Sequence, residues 1–496
     1  MIKYCSTRDA SVRKDGAQVI LEGLAADGGL YVPVEIPPVS PDFISAMAHM
    51  DYADRASAVM ALYLEDYTDE ELTNITAEGY RHGRFDDARV APVVSLDEGV
   101  HVLELFHGPT LAFKDMALQM LPRLLPLAMK KCGTTRDALI LVATSGDTGK
   151  AALEGFRDVP GTKIVVFYPD GGVSRAQYIQ MATQPGSNLS VVGVRGNFDD
   201  CQRGVKALFS SEDFERTING YGCASSSANS INWGRLLPQI AYYFYSYADL
   251  LSEGKIASGA PVNFVVPTGN FGNILAGEYA RMMGLPINTL ICASNANNVL
   301  TDFFRTGKYD SRRAFYRTMS PSMDILVSSN LERLLFIRSG MDDEKVRFWM
   351  QALSGGGAYD VAELRQAMTQ GYYAAQASED ETLRAIAQVF EKHNYLMDPH
   401  TAVGYHVYRQ YLEGTGDETP TVLLSTASPY KFCDSVLRAV QGNAPKDAWE
   451  AVDKVAELSG ISVPPALEAL RNAPILHKTV CEPDEMGAAV IDFLKK

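Results

Sequence analysis

The chain has 496 residues, 46% hydrophobic and 21% charged, with a formal net charge of −15. That length exceeds what one hydrophobic core fills, so two or three domains are expected. The acidic balance opposes binding to nucleic acid or to an anionic membrane through a general field, while a local nest of N–H groups still suits a small anion.

Residues 1–95 carry sparse strand signals and two helix-like stretches, 43–52 and 56–64, and are set apart as an N-terminal domain. Beyond them, β-rich runs at 138–143, 163–168, 189–194, 262–266, 290–293 and 422–424 alternate with polar turns and with helix-like patterns at 150–156, 233–250 and 274–283. Strand, turn and helix in repeated alternation imply an α/β fold of parallel sheets covered on both faces, which places ligands at the carboxyl ends of strands. This region, 96–440, is expected to form two lobes, the smaller near 135–225. The segment 236–250 is apolar on nearly every face and reads as a buried helix whose tyrosines pack. Residues 340–395 read as helical and polar, broken at Ser354-Gly355-Gly356-Gly357, and 441–496 read as a helical cap. The seven cysteines are scattered without a CxxC pair, which argues against zinc and for reduced thiols, and residues 1–9 lack the apolar core of a signal peptide. A cytoplasmic protein without a bound metal is expected; its oligomeric state stays open.

Four turns draw attention. Lys114 follows the turn His107-Gly108-Pro109-Thr110 where a helix starts, and unpaired N–H groups there disfavour an ammonium, making it a candidate amine nucleophile. Gly269, Asn270, Phe271, Gly272 and Asn273 lie between a β-rich run and a helix, the setting in which backbone amides converge on a phosphate; an ordinary βα turn is the alternative. No lysine ends this loop and no third glycine completes a dinucleotide fingerprint, so a ligand with one phosphate fits better than a P-loop nucleotide or a dinucleotide. Thr144, Ser145, Asp147 and Thr148 form a second strand-to-helix turn that could receive a carboxylate, or simply a helix capped by Thr144 or Ser145. A further turn carries Ser227, Asn229 and Asn232 and ends with Arg235, whose planar donors suit a phosphate as well as an ion pair. His107 and His400 read as hydrogen-bonded turn residues in preference to proton shuttles, and Lys150 and Lys431 as solvated or phosphate-steering charges.

A single phosphate plus a group that reacts with an amine describes pyridoxal 5′-phosphate. The strings Phe113-Lys114-Asp115, Ser145-Gly146-Asp147-Thr148-Gly149, Gly269-Asn270-Phe271-Gly272-Asn273 and Ser425-Thr426-Ala427-Ser428-Pro429 resemble the fold-type II family of pyridoxal-phosphate enzymes. Ser6-Thr7-Arg8, Asp27-Gly28-Gly29-Leu30-Tyr31, Asn197-Phe198-Asp199-Asp200 and Asp398-Pro399-His400-Thr401 narrow the resemblance to threonine synthases of the longer bacterial and fungal branch. The resemblance implies two parallel-sheet lobes around a cofactor cleft, Lys114 as the Schiff-base lysine, 269–273 as the cofactor-phosphate loop, and Thr426 as the hydroxyl facing the pyridine nitrogen. It also implies that the turn at 145–149 meets the substrate carboxylate, with O-phospho-L-homoserine and water going to L-threonine and phosphate. Many relatives have Asn where this chain has Asp147, which puts a direct contact between that carboxylate and the cofactor in doubt. The substrate phosphate is assigned to Arg235, Ser227, Asn229 and Asn232. Another fold-type II lyase or β-replacement synthase, or a non-catalytic cofactor-binding relative, are the alternatives.

Overall fold

The computed structural model describes residues 1–81, 83–144, 146–173 and 175–495, apart from the side chains of Arg175 and Asp199. Among the described residues, the larger sheet runs Tyr372–Gln376, Ile287–Ser294, Val262–Pro267, Thr421–Ser425, Val100–Glu104 and Val93–Asp97, with every neighbouring pair parallel except the last. The smaller sheet runs Thr479–Cys481, Leu189–Val194, Thr162–Pro169, Asp137–Ala143 and Cys223–Ser226, parallel throughout. Every residue of Val262–Pro267 is buried, as a strand covered on both faces requires. The expected α/β fold with two parallel sheets is therefore present. No helix among the described residues is long and apolar enough to cross a membrane.

The N-terminal region forms an antiparallel sheet of Asp9–Lys14, Tyr4–Ser6 and Tyr31–Pro33, followed by three helices. The helices expected at 43–52 and 56–64 are instead Pro41–Met47 and Tyr52–Ala61, because Ser40 and Asp51 each cap a new helix with their side chains. This region is joined to the two-sheet part by rings: Tyr4, Tyr63 and Tyr279 surround Trp233 at centroid distances of 5.5, 5.5 and 5.3 Å. Trp233 opens the helix Trp233–Ser252, which is buried along nearly its whole length.

Two segments differ from expectation. Within 340–395, the strand Tyr372–Gln376 forms an edge of the larger sheet, and Ala358–Asp360 pairs with Lys308–Asp310. The run Tyr372-Tyr373-Ala374-Ala375-Gln376 is only half-buried, so it lacks the apolar signature of an inner strand. The C-terminal cap is not helical alone, since Thr479–Cys481 adds an edge strand to the smaller sheet. Three residues are too few to show a period.

The short helix Lys114–Leu118 lies against Asp147–Phe156, the helix that follows a strand of the smaller sheet. Contact is possible at this closeness only because position 155 is glycine: a Cβ there would stand 2.1 Å from the carbonyl oxygen of Leu118. Backbone cannot yield as a flexible side chain can. Gly155→Ala should lower the denaturation midpoint by the equivalent of roughly 1–3 kcal/mol; an unchanged midpoint would show that the two helices do not meet there.

Candidate active site where the two sheets meet

The turn before Lys114 is built from within. The Asp115 carboxylate, fully buried, accepts hydrogen bonds from the amide and the hydroxyl of Thr110, both at 2.8 Å. A Cβ on Gly108 would fall 2.5 Å from Asp115, so the turn needs glycine there. Leu111 sits at φ 60°, a left-handed conformation costly for a side-chain-bearing residue. It is held by the segment that follows the strand Thr421–Ser425: the Phe113 amide donates to Thr426 O at 2.8 Å, the Ser428 amide to Leu111 O at 3.1 Å, and Ala112 bridges Ala427. Lys114 and Thr426, far apart in sequence, are thereby neighbours.

Lys114 is the first residue of its helix and donates to the hydroxyl of Ser322 at 3.3 Å. Burial, with Lys431 and Arg235 nearby, outweighs the attraction of Asp147 and brings its pKa down to about 8. Asp147 opens the helix Asp147–Phe156; one carboxylate oxygen lies 2.7 Å from the Lys431 ammonium and the other accepts from Ser322 Oγ at 3.1 Å. Burial works against that charge, but Lys431 and Lys114 outweigh it and hold the carboxyl well below the usual range. Lys431 is thus a buried partner of Asp147 that also donates to Thr110 O at 2.9 Å, and not the solvated charge expected of it. Lys150 is buried as well, donating to Gln184.

The glycine loop follows the strand Val262–Pro267 and opens the helix Gly272–Met283. Phe271 adopts φ 63°, and its ring is buried beside Phe304 and Tyr372, so only its backbone serves the loop. The loop is anchored through its oxygens: Gly269 O accepts from Ser328 Oγ at 2.7 Å, and Asn270 O accepts from the amide and side chain of Asn330, both at 3.1 Å. Asn273 accepts from Tyr242 at 2.6 Å and Tyr243 at 3.0 Å, while its own amide nitrogen is buried without a partner. The backbone amides of 269–274 donate to no protein acceptor among the described residues. A Cβ on Gly269 would lie 2.9 Å from Ser322 O. Unspent donors around a glycine-lined concavity, with a low-pKa amine across the cleft, fit a phosphorylated aldehyde such as pyridoxal phosphate.

The remaining expected residues divide. Asn232 is wholly buried and its side chain is spent on Ile20 O, Ser227 O and the Gly234 amide, so it caps the helix Trp233–Ser252 and is not a ligand. Thr144 accepts from the amides of Gly146 and Gly149, both at 2.9 Å, and is likewise a cap, not a substrate contact. Thr148 is partly exposed at the first turn of that helix, and Ser145 lies outside the described residues. Arg235 is buried with its Nε unpartnered, one guanidinium nitrogen donating to Ala228 O. Ser227 accepts from the Asn229 amide at 3.2 Å, and Asn229 is partly exposed. His107 is tied between Asp86 and Glu104 at 2.5 and 2.9 Å; burial opposes its charge, but those carboxylates raise its pKa to about 9.

Ser322 escaped the sequence reading, as did Asn330 and the two tyrosines behind Asn273. Ser322 lies in the single 3-10 turn Pro321–Met323, which the sequence signals only through the Ser320-Pro321 pair.

The model of the threonine synthase N terminus matches residues 3–80, that of pyridoxal-phosphate dependent enzymes 92–427, and that of the threonine synthase C-terminal region 401–474. The threonine synthase of Pseudomonas aeruginosa is 40% identical over 449 residues, covering 90% of this chain and 92% of that protein. A human protein named threonine synthase-like 1 is 40% identical over 436 residues, and the match takes in 86% of this chain but only 58% of that longer protein. The crystal structure of PLP-bound threonine synthase from Brucella melitensis superposes with a TM-score of 0.86 at 37% identity, over 100% of both chains. With these matches spanning the N-terminal region, both sheets and the cleft residues, the chain belongs to the threonine synthase family of pyridoxal-phosphate-dependent enzymes.

Proposed function

We propose that this chain is a threonine synthase, converting O-phospho-L-homoserine and water into L-threonine and phosphate. One observation carries the reading: Ser322 meets the Lys114 amine through its hydroxyl and lies against Gly269 through its carbonyl, so the amine and the unspent loop amides share one cleft. In this reading Lys114 holds the aldehyde carbon of pyridoxal 5′-phosphate, residues 269–273 hold its phosphate, and the Thr426 hydroxyl faces the pyridine nitrogen. When bound, the cofactor supplies an electron sink for carbanion chemistry.

Lys114 then does the proton work. An amine with a pKa near 8 is close to physiological pH, where it can both take and return protons. It removes the proton on the substrate α carbon and next one on the β carbon, and after phosphate departs it returns a proton to the γ carbon. Water adds its hydroxyl at the β carbon, and a proton returned to the α carbon completes L-threonine. Thr148 and the first turn of the helix Asp147–Phe156 receive the substrate carboxylate, where the helix N-terminus favours an anion. Arg235, with Ser227 and Asn229 on the same turn, receives the substrate phosphate.

In this reading the chain divides into an N-terminal region at 1–95, a catalytic region of two lobes at 96–440, and a segment at 441–496 packed on both lobes through Val452 and Val455 on one side and Val490 on the other; the strand Val93–Asp97 carries the larger sheet across the first of these boundaries. All seven cysteines are free thiols, which favours a reducing compartment such as the cytoplasm.

Purified protein incubated with phosphohomoserine should release threonine and phosphate in equal amounts, and Lys114→Ala should lower the rate roughly a thousandfold or more. Phosphate release with a 2-oxo acid in place of threonine would favour a dehydratase instead. Arg235→Gln should raise KM for phosphohomoserine about tenfold or more while the cofactor stays bound; an unchanged KM removes Arg235 from that role.

A further inference from the structure

Ser322 belongs to none of the motifs that led to the site, yet its hydroxyl is the group that the Lys114 amine contacts. A serine hydroxyl has one hydrogen to give. Here it goes to Asp147 Oδ2 at 3.1 Å, so toward Lys114 the same oxygen can only accept. Asp147 is itself fixed by Lys431 at 2.7 Å. One N–H of Lys114 is committed to Ser322 as a result, and once the ammonium gives up a proton the nitrogen lone pair is left for attack.

The backbone of Ser322 is held just as firmly. Its amide donates to His400 Nε2 at 3.1 Å, which requires that nitrogen to be an acceptor and places the ring hydrogen on Nδ1, 2.5 Å from Asp398. Asp398 also accepts from the His400 amide at 2.9 Å, the Thr401 amide at 3.1 Å and the Thr401 hydroxyl, so four donors fix its orientation at the start of the helix Pro399–Thr415. The His400 ring packs at 5.0 Å against Phe432, the neighbour of Lys431. On its other side the loop is tied down by Asp324, which accepts from Thr318, Asn295 and Asn297.

We propose that Ser322 is a catalytic residue that orients the Lys114 amine for attack on the cofactor aldehyde, and that Asp398 and His400 are positioning residues that hold Ser322 in place. The proposal rests on the reading of Lys114 as the residue that captures pyridoxal phosphate. It does not depend on which amino acid is the substrate.

The test uses the full-length chain stripped of cofactor and mixed with pyridoxal phosphate, with covalent capture followed by absorbance. Affinity for 4-deoxypyridoxine 5′-phosphate, which lacks the aldehyde, reads the phosphate cradle alone. Ser322→Ala should slow capture about tenfold or more, the scale of a misoriented reacting group, and leave analogue affinity within about twofold of wild type. In the reconstituted enzyme kcat should fall with KM nearly unchanged, and Ser322→Thr should recover most of both rates. His400→Ala should slow capture in the same direction, and the double variant should be no slower than Ser322→Ala, because the two act through one contact. Capture by Ser322→Ala at the wild-type rate would overturn the proposal, and so would analogue affinity that falls in step with capture. If wild-type protein captures the cofactor but does not turn over phosphohomoserine, the substrate assignment fails while this test stands.

Discussion

Two cations, Lys431 and Arg235, lie close enough to the buried Lys114 to push its pKa down, and the carboxylate of Asp147 is what makes that arrangement tolerable. An isolated ammonium taken out of water costs several kcal/mol, so the lysines need a counter-charge in reach. Asp147 comes from the helix after a strand of the smaller sheet, and Lys431 from the segment after a strand of the larger one. Their ion pair is therefore also a joint between the lobes. The aspartate that stands where relatives carry asparagine has its charge paired with Lys431, and its other oxygen accepts from Ser322.

Whereas the amine side of the cleft is balanced by charge, the glycine loop 269–273 contains no charged residue. Its shape is imposed from outside, and the N-terminal region takes part. Thr7 donates to Glu332 at 2.6 Å, and Arg8 grips the same carboxylate with two nitrogens at 2.9 and 2.8 Å. The adjacent Arg333 donates to Tyr31 O at 2.9 Å, to Ile231 O and to Asn330, whose side chain and amide hold Asn270 O. A motif near residue 7 and a loop near residue 270 are thus parts of one support. This gives Ser6-Thr7-Arg8 a physical role although it lies outside the cleft.

What the sequence disclosed follows from what sequence patterns encode. Continuous apolar runs such as Val262–Pro267 announce buried parallel strands, and glycine-rich turns after them announce the edge where ligands sit. Edge strands such as Tyr372–Gln376 and Thr479–Cys481 carry no such run and went unseen. Within the site, residues in compact motifs were found, while Ser322 and Lys431 could not be ranked because their importance lies in contacts made across the fold. Asn232 and Thr144 were over-read for a related reason: a polar side chain that caps a buried helix has the same composition as one that meets a ligand, and only the count of its spent hydrogen bonds separates the two.

The central claim is that one particular lysine, among several buried near the cleft, carries the cofactor. Borohydride reduction of the purified holoenzyme, followed by proteolysis and mass-spectrometric mapping of the pyridoxyl group, addresses it directly. The account predicts a single modified residue, Lys114. A label on Lys431 or Lys150, or no stable adduct in protein loaded with pyridoxal phosphate, would contradict it.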